Sequence, residues 1–278
     1  LGGFDLASSG VWGSPGAGCV GATLGLGGFD LASSGSGAMR NGPRECWLQS
    51  TVMATNQDAS TADSASEAAA HGGVDLYLDA LASSAPTPGG GSAAAMIGAV
   101  AAALVAMVAR LTAGRPAFAA VDADARRIII AADAAREALA GAMASDEDAF
   151  RAVMAAYRLP RTGGGAREAR REAIAQASRM ATAPPLTTAR LARTVLDLAL
   201  EASRIGNPTV TSDAAVAAWA ALAAIRASAV NVRINLPASR DAEFSAAAEA
   251  EIATLIDGAI EVAEATERAA ATSQPPAS

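Results

Sequence analysis

From Val74 onward, apolar residues recur at the three-and-four spacing of helices, and no stretch alternates convincingly as a strand would. Val74 to Ser83, with Leu76, Leu78 and Leu81, predicts a short helix that the Pro86/Pro88 turn stops. Next come Pro88, Gly89, Gly90, Gly91 and Ser92, followed by a charge-free run from Ala93 to Ala109. Ser92 is expected to be the N-cap of a helix reaching about Thr112, with the three glycines taking positive φ and bringing free amides close to a ligand. A helix start of this kind favours an anion or a polar ligand atom. The uncharged core of this helix spans only 17 residues, mostly Ala and Gly, so it reads as a buried central helix and not a membrane span.

Pro116 at a first helical position opens a third helix, carrying Val121, Ile128, Ile129, Leu139 and Met143 to about Ala144. Ser145 with Asp146, Glu147 and Asp148 reads as the acidic first turn of a separate helix that runs through Tyr157 and ends at Pro160. Gly163 to Gly165 form a hinge, and the helix from Ala166 to Ala183 is expected to stop at Pro184 and Pro185. Leu186 to Ile205 is the next, closed by Gly206. Ser212 is expected to cap a helix reaching about Leu236, and Ala238 to Thr272 completes the set. The fold class is all-α, an elongated bundle of long Ala-rich helices in one domain over residues 73–272, with 273–278 as a tail.

Composition agrees with that class. Of the 278 residues, 51% are hydrophobic and only 4% aromatic, with alanine supplying much of the apolar count. Alanine favours helix and fills little volume, so the helices are expected to pack closely. A net charge of -7 argues against a nucleic-acid partner, which needs a concentrated basic face. The two cysteines, Cys19 and Cys46, and the one histidine, His71, show no metal-ligand spacing, so no metal site is expected. The expected setting is cytoplasmic, without a membrane partner.

Residues 1–72 differ from the rest. LGGFDLASSG occurs at Leu1 to Gly10 and again at Leu26 to Gly35 in a Gly/Ser-rich context, a composition expected to stay disordered. The chain begins with Leu while Met39 and Met53 lie downstream, which suggests that translation starts at one of these two and that the upstream stretch is not part of the native protein. Mass spectrometry of the native N-terminus checks this.

Two later motifs join the glycine run. Gly206-Asn207-Pro208 and Thr211-Ser212-Asp213 form a loop entering a helix with a carboxylate in its first turn, where Asp213 either complements the dipole or serves chemistry. Asn231 and Asn235 in NVRIN lie four apart and share a helix face, where buried amides need partners. In order, PTPGGGS, MVARLT, DAFRAVMAAYRLP, REARREAIAQA, GNP, SDAAVAA and NVRINL resemble the cyclodeaminase/cyclohydrolase family of folate enzymes, over about Val74 to Thr272. Where that family usually has SDAG, this chain reads Ser212-Asp213-Ala214-Ala215, an extra methyl that bears on fine specificity.

The resemblance implies an all-helical homodimer without a metal or prosthetic group, acting on a tetrahydrofolate derivative. Methenyltetrahydrofolate cyclohydrolase is expected ahead of formiminotetrahydrofolate cyclodeaminase, because no formiminotransferase unit precedes the helical region. A non-catalytic helical dimer that binds a ligand or only associates with itself is the other class. Asp213 is the expected acid/base or pterin-anchoring group, with Pro88, Gly89, Gly90, Gly91, Ser92, Arg115, Asn207, Ser212, Asn231 and Asn235 binding substrate. Arg158, Arg161, Arg167, Arg170 and Arg171 read instead as solvated helix faces balanced by Glu168 and Glu172. Asp213 and Asn231 are 18 residues apart, roughly 27 Å on one straight helix, so a site using both needs an extended ligand or a second subunit.

Overall fold

The computed structural model describes residues 73–273; the repeated decapeptide, Cys19, Cys46, His71 and the two candidate start methionines lie outside the described residues. The helices in chain order are α1 (73–82), α2 (Gly90–Arg110), α3 (Asp122–Tyr157), α4 (Ala166–Ile205), α5 (Thr211–Ser239), α6 (Ala242–Ile256) and α7 (Ala259–Ser273). A 3-10 turn, Pro116–Val121, leads into α3, and no strand occurs among the described residues. The all-α expectation therefore holds for the helical region.

Side-chain neighbours fix the direction of each helix. Gly91 meets Asp146 and Gly98 meets Leu139, so α3 runs antiparallel to α2. Arg127 pairs with Glu201, and Arg170 reaches the Tyr157 carbonyl at 3.0 Å, so α4 reverses again. Asn235 contacts Ala181, and Gly90 faces Asn231 while Gly98 faces Ala224, so α5 runs antiparallel to both α4 and α2. The result is an up-down-up-down four-helix bundle. Trp219 donates to Glu267 at 2.9 Å, which lays α7 back along α5.

The core is built largely from alanine. Ala101, Ala102, Ala132, Ala192, Ala199, Ala217, Ala218 and Ala221 are buried with Val105, Ile128, Leu139, Leu196 and Ile225. Small side chains at the seams let the backbones approach, so the bundle fills its interior with few aromatics. A second cluster, Leu186, Ala189, Ala229, Val232, Ala248 and Ile252, fastens α6 to the middle of α4 and the C-terminal half of α5. By length and composition, α2 and α5 are apolar enough to cross a membrane, yet each turns about half its residues into this core.

Four expected boundaries move. Helix α3 is continuous from Asp122 to Tyr157, so Asp146, Glu147 and Asp148 are mid-helix and not a first turn. Helix α2 starts at Gly90 with Gly89 as N-cap, which displaces Ser92 from the cap into the first turn. None of Gly89, Gly90 and Gly91 takes positive φ; their lack of a side chain serves close approach instead. The last stretch is two helices, broken at Gly258 with φ 64°, a conformation that glycine adopts without strain.

The fourth shift concerns proline. Helix α4 continues through Pro184 and Pro185, and α5 through Pro237. Pro185 has no N–H for the Ala181 carbonyl four residues earlier, which would leave a buried acceptor empty. The Asn235 amide of α5 fills it, donating to that carbonyl at 2.9 Å. Asn235 thus replaces a missing backbone donor and ties α5 to α4. Asn235→Ala is expected to cost about 1–3 kcal/mol in urea unfolding, and much less in a Pro185→Ala background where the backbone N–H returns. Equal costs in both backgrounds would contradict the assignment.

Candidate functional site

The start of α2 is where the bundle brings chemistry together. Its first turn has amides without partners of their own, which attract negative charge. Asp146 of α3 lies directly against this turn: a Cβ placed on Gly91 would overlap the Asp146 carboxylate, so only glycine admits it there. The Ser92 N–H donates to Asp146. Leu139, Ala142 and Asp146 follow helical spacing, so the carboxylate continues the buried stripe of α3.

The electrostatic balance at Asp146 favours the proton. Burial, the largest influence, raises its carboxyl above the usual aspartate value; the Ser92 amide opposes this, and the charge of Glu147 adds to the rise. A carboxyl shifted in this direction is a better proton donor than an ordinary solvated aspartate.

Glu147 meets the same serine by another route. The Ser92 hydroxyl, fully buried, donates to Glu147 Oε1 at 3.4 Å, and the Tyr77 hydroxyl of α1 lies 3.1 Å from Ser92 Oγ. Asp148, by contrast, turns outward to Arg151. Across α5, a Cβ on Gly90 would be 3.6 Å from Asn231 Oδ1, while Asn231 Nδ2 donates to the Ala227 carbonyl at 2.9 Å. One turn before Asn231, Ser228 is fully buried with its hydroxyl unpaired.

The remaining expected residues collect at the opposite end of α2, about 30 Å away for a helix of 21 residues. There the Asn207 N–H donates to Thr112 Oγ1 at 2.9 Å, and Asn207 Oδ1 accepts from the Thr209 N–H at 3.2 Å and hydroxyl at 3.0 Å. Asn207 thereby clamps the α4–α5 loop to the end of α2. Gly206 permits this, since a Cβ there would lie 2.5 Å from the Ala202 carbonyl and 3.0 Å from Val108. Arg115 follows the same end of α2 and is exposed.

Helix α5 starts here at Thr211 with Val210 as N-cap and no side-chain cap bond, so Ser212 does not cap it as expected. Ser212 is exposed, and Asp213 is half-buried with its backbone N–H on the Val210 carbonyl at 3.1 Å. The structure therefore brings Gly90, Gly91, Ser92 and Asn231 together at one end, and Arg115, Asn207, Ser212 and Asp213 at the other. Asn235 lies one turn beyond Asn231, engaged with α4.

Asp146, Glu147 and Tyr77 are candidate site residues that the sequence reading does not single out. Splitting α3 at Ser145 gave the acidic triplet an ordinary explanation. The available signal was the spacing of Asp146 from Leu139 and Ala142, which puts a carboxylate on an apolar stripe.

A four-helix bundle that sets a half-buried carboxyl of raised pKa against a glycine-rich helix start defines a candidate acid/base site. The formiminotransferase-cyclodeaminase family profile matches residues 73–254, and the chain belongs to that family. A methenyltetrahydrofolate cyclohydrolase of Methylorubrum extorquens is 44% identical over 172 residues, covering 62% of this chain and 83% of that protein. A formimidoyltransferase-cyclodeaminase of Rattus norvegicus is 34% identical over 62% of this chain, which spans 32% of that longer protein. The crystal structure of a Thermotoga maritima formiminotetrahydrofolate cyclodeaminase superimposes with TM-score 0.64 at 26% identity, covering 70% of this chain and 94% of that one.

The raised carboxyl of Asp146 has a consequence for stability. Folding favours its protonated form, so ionisation carries a penalty that is absent below the ordinary aspartate range and complete above the raised value. Asp146→Asn is therefore expected to melt above wild type at about pH 7.5, with the difference vanishing near about pH 3, below the unfolded aspartate pKa of about 3.9. A gain that persists in acid, or none at neutral pH, would contradict the burial argument.

Proposed function

We propose that this chain is a folate one-carbon enzyme that hydrolyses 5,10-methenyltetrahydrofolate to 10-formyltetrahydrofolate. Asp146 against the first turn of α2 is the observation that carries the chemistry. Family membership and the 44% identity to a methenyltetrahydrofolate cyclohydrolase support the substrate. In this reaction water adds to the methenyl carbon, and ring opening requires a proton on N5. A carboxyl that leans toward its protonated form supplies that proton, while the α2 amides favour charge developing on oxygen. The tetrahydrofolate derivative is substrate, and the proposal includes no prosthetic group or metal.

A homodimer completes the proposal. Helix α2 turns Ile97, Val100 and Met107 to solvent, and α5 turns Val216, Val230 and Ile234, so both helices keep an uncovered apolar face. A second copy related by a two-fold axis across these helices would run antiparallel to the first. The Asp213 end of one subunit then meets the Gly90–Ser92 end of its partner, which answers the separation of about 30 Å along α2. Asp213 in this arrangement anchors the pterin or assists proton transfer, with Ser212, Asn207 and Arg115 beside it. The proposed setting is cytoplasmic.

Cyclodeamination is the second reading, favoured by the structural likeness to the Thermotoga maritima enzyme. There N10 attacks the formimino carbon, and the Asp146 proton would assist departure of ammonia. Absorbance of the methenyl chromophore separates the two: cyclohydrolase activity bleaches it, and cyclodeamination creates it from the formimino compound. Purified protein is expected to accelerate bleaching, with Asp146→Asn slower by about 100-fold or more. Bleaching at the uncatalysed rate together with methenyl formation would move the assignment to cyclodeamination, and no change in either assay would refute both.

A further inference from the structure

Hydrolysis of the methenyl group needs a base for the attacking water. We propose that Glu147, held through Ser92 to Tyr77, is that base, which rests on the cyclohydrolase reading above. The geometry is specific. Ser92 is fully buried in the first turn of α2, its N–H on Asp146 and its hydroxyl on Glu147 Oε1 at 3.4 Å. Because that hydroxyl donates to Glu147, the Tyr77 hydroxyl at 3.1 Å is the donor to Ser92.

One serine thus orients two neighbouring carboxyl groups by different atoms. Glu147 is half-buried, and among the described residues it forms no ion pair and Oε2 has no hydrogen-bond partner, which leaves that oxygen to accept from a water. The unpaired Ser228 hydroxyl, buried one turn before Asn231 on the facing helix, is a further polar group at this end without a protein partner. Arg151 of α3 acts on Glu147 through its charge while it pairs with Asp148; Tyr77 of α1 reaches the pair through Ser92, Asn231 of α5 lies against Gly90, and the α2 first turn brings no charged side chain.

The division of labour balances. Water forms the C–O bond to the methenyl carbon as its proton passes to Glu147. The C–N5 bond then breaks, its electron pair goes to N5, and N5 takes the proton of Asp146. The remaining carbinol proton restores Asp146 as the formyl C=O forms, and the proton on Glu147 leaves to solvent. The net release of one proton matches conversion of a cationic methenyl group to a neutral formyl group.

The test uses the full-length protein with Glu147→Gln, Ser92→Ala and Tyr77→Phe, each checked for wild-type melting behaviour. Glu147→Gln is expected to lower kcat for methenyl hydrolysis by about 100-fold and to remove the acidic limb of the kcat–pH profile that a base creates. Ser92→Ala and Tyr77→Phe are expected to lower kcat by smaller factors while keeping that limb. Hydroxylamine, which needs no such deprotonation to attack the methenyl carbon, is expected to restore turnover in Glu147→Gln. Wild-type hydrolysis with an unchanged rate and pH profile in Glu147→Gln would overturn this inference alone. No hydrolysis by wild type would overturn the functional reading and this inference with it.

Discussion

The approach of the Asp146 carboxylate to the first turn of α2 is the constraint around which this bundle is arranged. It demands glycine at position 91, because any Cβ there overlaps the carboxylate. It demands that α3 run unbroken past Ser145, so that Asp146 stays on the stripe set by Leu139 and Ala142. It also demands small residues along the α2 seams, since the helices must come near enough for a backbone to touch a carboxylate. Alanine and glycine in this chain are therefore part of the site's geometry as well as its helix propensity.

The same packing sets the energetic compromise. Burial pushes Asp146 toward its neutral form, and the amide of Ser92 returns part of that cost. The two influences act in opposite directions on one carboxyl, and burial is the larger. Two polar obligations elsewhere in the bundle are met locally: Asn235 serves the carbonyl that Pro185 orphans, and Asn207 clamps the loop that Gly206 allows to approach Val108.

Much of the fold was legible in the sequence. Helical periodicity, the alanine content and the lack of alternation gave the all-α class, and the ordered motifs gave the family. The boundaries failed where a local rule met a tertiary answer. Pro184 and Pro185 read as a stop because the sequence does not reveal that Asn235 supplies the missing donor. The triplet from Asp146 to Asp148 read as a helix start because acidic residues favour that position, although here two of the three turn toward α2 and the third to Arg151. Ser92 was recognised as important for capping, and the structure gives it another task, between Tyr77 and Glu147. Asn231 and the glycine run, both expected to bind substrate, lie side by side, since Asn231 faces Gly90.

The length of α2 turns this geometry into a question of assembly. One end holds Asp146 and Glu147, the other holds Asp213, and a single subunit keeps them about 30 Å apart. The proposed site joins both ends across a two-fold axis. Mixing subunits tests this most directly: Asp146→Asn and Asp213→Ala dimers, each inactive alone, are dissociated together and reassembled. Random pairing makes half the dimers mixed, each with one intact site of two, so about one quarter of wild-type activity is predicted. Activity no higher than that of the two parents, or full activity in Asp213→Ala alone, would contradict a site shared between subunits.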